Sequence, residues 1–182
     1  MASPFAAIAF TSGVKAAQSR YGSRDANRRL EAGDAGAAAL TAAEARFIAR
    51  RDSFYQATVS ETGWPYVQHR GGPAGFLKVL DATTLAYADY SGNRQYVSAG
   101  NLAGNDRVAL ILVDYAQRRR LKLWGRARIV HAVDDRALVD AVRDPSYPAR
   151  VERAIVIAVS AYAWNCPSHI PQRYAAADFD DV

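Results

Sequence analysis

The sequence predicts a mainly β fold: a small antiparallel barrel of six strands, with helices added between them and at the ends. Three observations predict it. Short runs rich in β-branched and aromatic residues recur at close spacing between residues 54 and 164. The early runs are joined by turns too short to hold a crossover helix, which makes neighbouring strands antiparallel and excludes a doubly wound α/β sheet. One later run, RLKLWGRARIV, alternates large polar and apolar residues with a period of two.

Taken in order, residues 1–40 read as an N-terminal extension with a short helix around 14–20, followed by a stretch rich in Gly, Ala and charge. Residues 41–182 read as the barrel domain. Thr41 and Glu44 match a capping box that starts a helix running to about Arg51. FYQATVS, the turn ETGWP and YVQHR then form a hairpin over 54–70. GFLKVLD and TLAYADY make a second pair around residues 81–83. Ser91 reads as the N-cap of a short helix over about 93–102. The near-continuous apolar run RVALILVDY reads as a strongly buried strand. Within RLKLWGRARIV, Arg120, Lys122, Trp124, Arg126 and Arg128 fall on one face and Leu121, Leu123, Gly125, Ala127 and Ile129 on the other. A helix over 134–144 and a last strand over 154–164 complete the domain, and the tail NCPSHIPQRY is irregular.

Composition bounds the function. The chain has 182 residues, half of them hydrophobic, enough for one domain with its own core. Lys plus Arg number 23 against 18 Asp plus Glu, a net charge of +5 that suits a phosphorylated ligand and weak nucleic-acid affinity alike. Cys166 is the single cysteine and the three histidines are far apart, so neither an intramolecular disulfide nor a metal site is expected. No Lys or Arg precedes the apolar N-terminus, and no stretch approaches the roughly 20 apolar residues of a membrane span. A soluble, cytoplasmic protein with no membrane partner is expected.

Three constellations are candidate sites. In VQHRGGPAGFLK, Arg70 and Lys78 flank a bend whose Gly71 and Gly72 amides carry no shielding side chain. It is either a solvated turn or a place where two cations and backbone N–H groups close on an anion. It is neither a P-loop nor a dinucleotide fingerprint. In DYSGNRQ, Ser91 either simply caps a helix or starts one whose first amides, with Arg94, hold an anion. The cationic strand face at Arg120, Lys122 and Trp124 is an outer barrel wall, a nucleic-acid surface with a stacking platform, or the cover of a planar anionic cofactor. No GxSxG or comparable nucleophile signature is present, and Cys166 has no identifiable base.

Those residues, with the blocks IAFTSGVKAAQ, YGSR, DSFYQATVSETGWPYVQHRGGPAGFLKVLD, DYSGNRQYVSAGNLAGNDRVALILVDY, RLKLWGRARIV and WNCPSHIPQRY, carry a resemblance. The chain resembles the pyridoxamine 5′-phosphate oxidase-like family of FMN-binding split barrels, in its oxidase-related FMN-binding branch. The resemblance implies a six-stranded antiparallel split barrel, a homodimer, and FMN held between subunits. It implies cofactor contacts from Arg70, Gly71, Gly72 and Lys78, then from Ala88, Asp89, Gly92, Asn93, Arg94 and Gln95. Asn93 and Arg94 would hold the phosphate, and the backbone of Ala88 and Asp89 would lie near the ring. Arg120 and Lys122 fall where the family's later strand reaches the flavin across the dimer. Trp164, Asn165, His169 and Arg173 are substrate-side candidates. The Trp-and-Arg ending of the vitamin B6 oxidases is not matched in WNCPSHIPQRY, so vitamin B6 oxidation itself is not implied.

The expected function is an FMN-dependent oxidoreductase whose electrons come from a small-molecule substrate or NAD(P)H. The alternative is a non-catalytic flavin carrier or sensor. Nucleic-acid binding through the basic strand is the third reading, and no nucleic-acid partner is expected.

Overall fold

The computed structural model describes residues 3–32 and 39–174; residues 33–38, most of the Ala- and Gly-rich stretch, lie outside them. The described chain opens with helices α1 (Pro4–Ala9), α2 (Ser12–Arg20), α3 (Arg24–Ala32) and α4 (Ala42–Ala49). Strands β1 (Ser53–Val59), β2 (Pro65–Gly71), β3 (Lys78–Asp81) and β4 (Thr84–Tyr90) follow. Helix α5 (Val97–Gly104) leads into β5 (Arg107–Asp114) and β6 (Arg119–Val130), and α6 (Arg136–Val142) into β7 (Val151–Asn165). Among the described residues no helix is long and apolar enough to cross a membrane.

All strands belong to one antiparallel sheet in the order β2-β1-β5-β6-β7-β4-β3. The described sheet has seven strands, one for each strand run read in the sequence, where a six-stranded barrel is expected. Of GFLKVLD only Lys78–Asp81 pairs, as the four-residue edge strand β3, while Phe76 and Leu77 ahead of it are buried core side chains. Backbone pairing does not close the sheet. Side chains bring its two ends together instead: the Tyr87 hydroxyl on β4 donates to Gln56 Oε1 on β1 at 2.7 Å, and Arg70 on β2 meets Asp89 on β4.

The pleat sorts residues as the alternation requires. On β1, Phe54, Gln56 and Thr58 are buried while Tyr55 faces outward. Phe54 stacks on Phe76 at 5.4 Å between centroids and meets Tyr87 edge-on at 5.3 Å. Leu110, Leu112, Leu121, Leu123, Ile155 and Ile157 fill the same core. A second apolar layer, with Ala86, Ala88, Val130 and Val156, packs with Val139 and Val142 of α6. That layer explains why the five residues from Leu85 to Asp89 are all buried, since β4 is covered on both faces. Strand β5 behaves oppositely to its apolar composition. It is buried on one face only, and Ala109, Ile111 and Val113 are half-buried on the other.

On β6 the polar and apolar faces separate as the sequence predicts, with a register shift at Trp124/Gly125. Gly125 is required there. A Cβ would sit 2.5 Å from the Ala158 carbonyl oxygen and 2.7 Å from Ile157 Cγ2, so the strands could not approach. The Thr41–Glu44 capping box is present, and α4 ends at Ala49.

Two local expectations are corrected. Residues 3–32 hold three helices, where one short helix is predicted; α1 lies on β7 and sets Phe5 against Trp124 at 5.3 Å. Helix α5 starts at Val97, not near residue 93, and Ser91 does not cap it. Arg94 (φ 61°) and Tyr96 (φ 53°) are left-handed, which a right-handed helix cannot contain.

Candidate functional site

Strand β2 supplies Tyr66, Gln68 and Arg70 on one face, by the two-residue period. That face borders a cleft of about 250 Å³. Asp89 and Tyr90 enter from the end of β4, Gly92 to Tyr96 from the loop that follows, and Glu152 from the start of β7. Val97, Ser98 and Ala99 line it from the first turn of α5. Two hydrogen bonds anchor that helix: Ser98 Oγ donates to Gln68 Oε1 at 2.8 Å, and Asn101 Nδ2 to Thr58 Oγ1 at 2.9 Å.

Because Tyr96 offers no side-chain cap, the first amides of α5 lack an internal partner, and the residues that carry them, Val97 to Ala99, line the cleft at the positive end of the helix dipole. The amides of Gly92, Asn93 and Arg94 make no hydrogen bond among the described residues. A Cβ on Gly92 would meet nothing within 4 Å, so the loop is open at that point.

An ion network holds the back of the cleft. Asp89 accepts from Arg70 Nη1 at 2.7 Å and lies 3.1 Å from Arg153 Nε. Arg153 also pairs with Glu152, and its guanidinium stacks over the Tyr96 ring at 4.9 Å. Burial opposes the charge on Glu152, but hydrogen bonds from Arg153, Ser91 and Tyr96 outweigh it and hold the carboxyl below the usual range. The Tyr87 phenol behind Arg70 is pushed upward, first by burial, and stays neutral. Arg70 and Arg153 balance Asp89 and Glu152, and Arg94 on the loop, whose Nε donates to the Tyr96 hydroxyl at 3.4 Å, leaves one positive charge. The Arg70 Nε is buried without a partner.

Of the residues singled out in the sequence, Arg70, Asp89, Gly92, Asn93, Arg94 and Gln95 meet in this cleft. Gly71 and Gly72 serve the fold: Gly71 pairs with Ser53, the Gly72 amide donates to the Asp52 carbonyl at 2.9 Å, and a Gly72 Cβ would lie 2.8 Å from Phe76 Cγ. They are not the free amides the bend promises. Ala88 is buried in the layer beneath α6, and Lys78, on β3 opposite Ala86, acts electrostatically on Asp144.

The remaining candidates gather elsewhere in the chain. Arg120 Nη2 donates to the Cys166 carbonyl at 3.4 Å, and Lys122 on the same face has its pKa lowered by burial and then by Arg120. The Trp164 indole donates to Glu44 at 2.7 Å and packs edge-on against Phe47. Asn165 Oδ1 is buried without a partner, His169 is left-handed (φ 63°), and Arg173 stacks on Tyr115 at 5.3 Å. None of these lines the cleft of its own chain. Trp124, proposed as a platform for a flat ring, is taken by Phe5.

Tyr66, Gln68, Tyr96, Ser98, Glu152 and Arg153 are the site residues that motif reading misses. Tyr66 and Gln68 had a signal, since they share the face of Arg70 at two-residue spacing. Glu152 and Arg153 had none; only the pairing of β7 beside β4, which sets Arg153 opposite Asp89, brings them in. Among the described residues no cluster of His, Cys, Asp or Glu is placed to hold a metal.

Comparison with known proteins agrees with this architecture. No curated protein sequence matches significantly. Solved structures do. HupZ of Group A Streptococcus superposes with a TM-score of 0.53 at 16% identity, covering 69% of this chain and 99% of its own. A candidate pyridoxamine 5′-phosphate oxidase of Lactobacillus delbrueckii gives 0.52 at 21% identity, covering 69% and 93%. An FMN-binding protein of Syntrophomonas wolfei gives 0.53 at 11%, covering 68% and 85%. At these identities the likeness is one of fold. The family model for pyridoxamine 5′-phosphate oxidase matches residues 40–161, about two thirds of the chain. By that match and the shared split-barrel fold, the chain belongs to the pyridoxamine 5′-phosphate oxidase-like family.

Proposed function

We propose that this protein is an FMN-dependent oxidoreductase acting as a homodimer, with the flavin phosphate in the cleft between β2, the 91–96 loop and α5. The observation that carries the reading is the convergence there of Arg70, Arg94, open loop amides and an uncapped helix start. That donor set suits a phosphate monoester: fork donors, backbone N–H groups and a positive dipole end. In favour of FMN there is also the FMN-binding description of the Syntrophomonas wolfei protein, which shares the fold.

When bound, FMN supplies a carrier for a pair of electrons. The chain's own residues bind and orient. Arg94, exposed on the loop, donates its Nε to the Tyr96 hydroxyl at 3.4 Å, which leaves its two terminal nitrogens for the phosphate. Asp89 holds Arg70 and Arg153 at a fixed spacing and keeps the two guanidiniums from repelling each other. Gln68, fixed by Ser98, borders the same cleft with an amide group. No side chain in the cleft is arranged as a nucleophile with a neighbouring base.

A second copy completes the site in this reading. The cleft, about 250 Å³, is smaller than the roughly 300–1000 Å³ of a complete small-molecule pocket. Outside it, Tyr55 and Val67 are 41% and 61% exposed, and register places them beside Ala57, Ala109 and Ile111 on one outer sheet face. That apolar face fits a symmetric partner. Arg120 and Lys122 lie on β6 next to it, Lys122 opposite Ile111, and from there they would reach the flavin of the other subunit.

The test is the visible spectrum of the purified protein with FMN, followed by anaerobic titration with NADH and NADPH. Bleaching of bound flavin by either supports the oxidoreductase. Binding without bleaching by these or a supplied reductase favours the carrier or sensor. No flavin uptake ends both.

A further inference from the structure

A second cationic cavity, apart from the cleft, lies where the end of α4 meets the β5–β6 turn. Its volume is about 370 Å³. Arg46, Arg50 and Arg51 line it from α4 and just beyond, and Gln117 and Arg119 from the turn. Asp114 is the single carboxylate in its wall, and it is already committed. One oxygen pairs with Arg51 Nη2 at 2.8 Å and the other accepts the Gln117 amide at 2.8 Å. Four guanidiniums against one carboxylate leave three uncompensated positive charges around one hollow.

The dipole of α4 accounts for arginines in and after its last turn. It does not account for Arg119, which comes from β6 and is held in place by Trp164 at 4.4 Å and Phe47 at 5.5 Å. Arg51 lies over the same Phe47 ring at 4.8 Å. Two of the four guanidiniums are therefore pre-oriented by aromatic contacts and need little ordering to bind. Arg46 and Arg50 are exposed and free to close. Arg51 Nε is buried and has no hydrogen-bond partner, an unsatisfied donor in the wall of the cavity.

We propose that this cavity binds a phosphate or pyrophosphate group of a ligand other than the one held in the cleft. Like charges concentrated around a hollow repel one another, and a multiply charged anion with several acceptor oxygens relieves that repulsion and fills the fork donors together. Phe47 is covered by Arg51 and Arg119, so recognition is of the charged group and not of a stacked ring.

The experiment is isothermal titration of the full chain with inorganic pyrophosphate, with and without saturating FMN. With the cleft filled by saturating FMN, one site per chain is expected, losing affinity by at least roughly tenfold in Arg46→Ala/Arg50→Ala; without FMN the open cleft adds a second site, which Arg94→Ala weakens while leaving the first unchanged. Both altered side chains are exposed, so the melting midpoint of the double variant stays near that of the parent. ADP and NADPH identify the source: tighter binding than pyrophosphate marks a nucleotide, equal binding the bare anion. Absence of saturable binding overturns the proposal. So does binding that FMN or Arg94→Ala abolishes while Arg46→Ala/Arg50→Ala leaves it intact.

Discussion

Replacing Asp89 by Asn removes one charge from the point where the two ends of the sheet meet. The Asp89 side chain is 11% exposed, and its partners Arg70 and Arg153 are 15% and 13% exposed, so solvent screens these pairs little. Removing one member of a buried ion pair costs about 3–5 kcal/mol, mostly because the other charge is stranded. Arg153 keeps Glu152, so the stranded group is Arg70 and the lower end of that range applies, about 3 kcal/mol. For a domain of this size that lowers Tm by roughly 6–12 °C. Thermal and urea unfolding of Asp89→Asn beside the parent measure it. The loss should shrink in phosphate buffer relative to chloride at equal ionic strength, because phosphate can replace the missing carboxylate. A variant within about 0.5 kcal/mol of the parent, the usual range for surface changes, would refute the reasoning.

Gly125→Ala should destabilise by about 3 kcal/mol, at the upper end for overpacking, because the new methyl group meets the Ala158 carbonyl and not a flexible side chain; urea unfolding measures it. If the outer face of β1, β2 and β5 forms the proposed dimer, light scattering should give a dimer mass for the parent and a monomer mass for Val67→Glu, whereas Val133→Glu, at a residue 94% exposed on a separate turn, should leave the mass unchanged. Glu44 is buried, yet hydrogen bonds from Thr41 and Trp164 outweigh burial and hold its carboxyl below the ordinary 4.5. A depressed folded value means that this stability is present above the unfolded pKa and lost as pH falls through the folded one. Glu44→Gln should therefore flatten the pH dependence of unfolding below about pH 4.5.

Elements whose formation is local were legible in the sequence. The Thr41–Glu44 box, the 54–70 hairpin and the two faces of β6 each follow from a cap, a turn or a period that neighbouring residues decide. What was not legible depends on contacts distant in sequence. The left-handed Arg94 and Tyr96 delay α5, and no residue preference around Ser91 announces that. Gly71-Gly72 read as an open bend, but Phe76, four residues on, needs the space beside Gly72. Glu152 and Arg153 belong to the site only because β7 lies beside β4. The apolar run of β5, buried on one face and half-buried on the other, is ambiguous for a similar reason. A run of Val, Ala, Leu and Ile indicates burial without saying whether the chain's own core or a second copy does the covering.

The central claim, that the β2–α5 cleft holds a flavin phosphate through Arg94 and its neighbours, is tested most directly by quenching of FMN fluorescence. Saturable quenching is expected at one FMN per chain, with a dissociation constant at least roughly tenfold higher for Arg94→Ala and an unchanged melting midpoint. Fluorescence that does not change on adding protein, or an Arg94→Ala curve that superposes on the parent's, would contradict it.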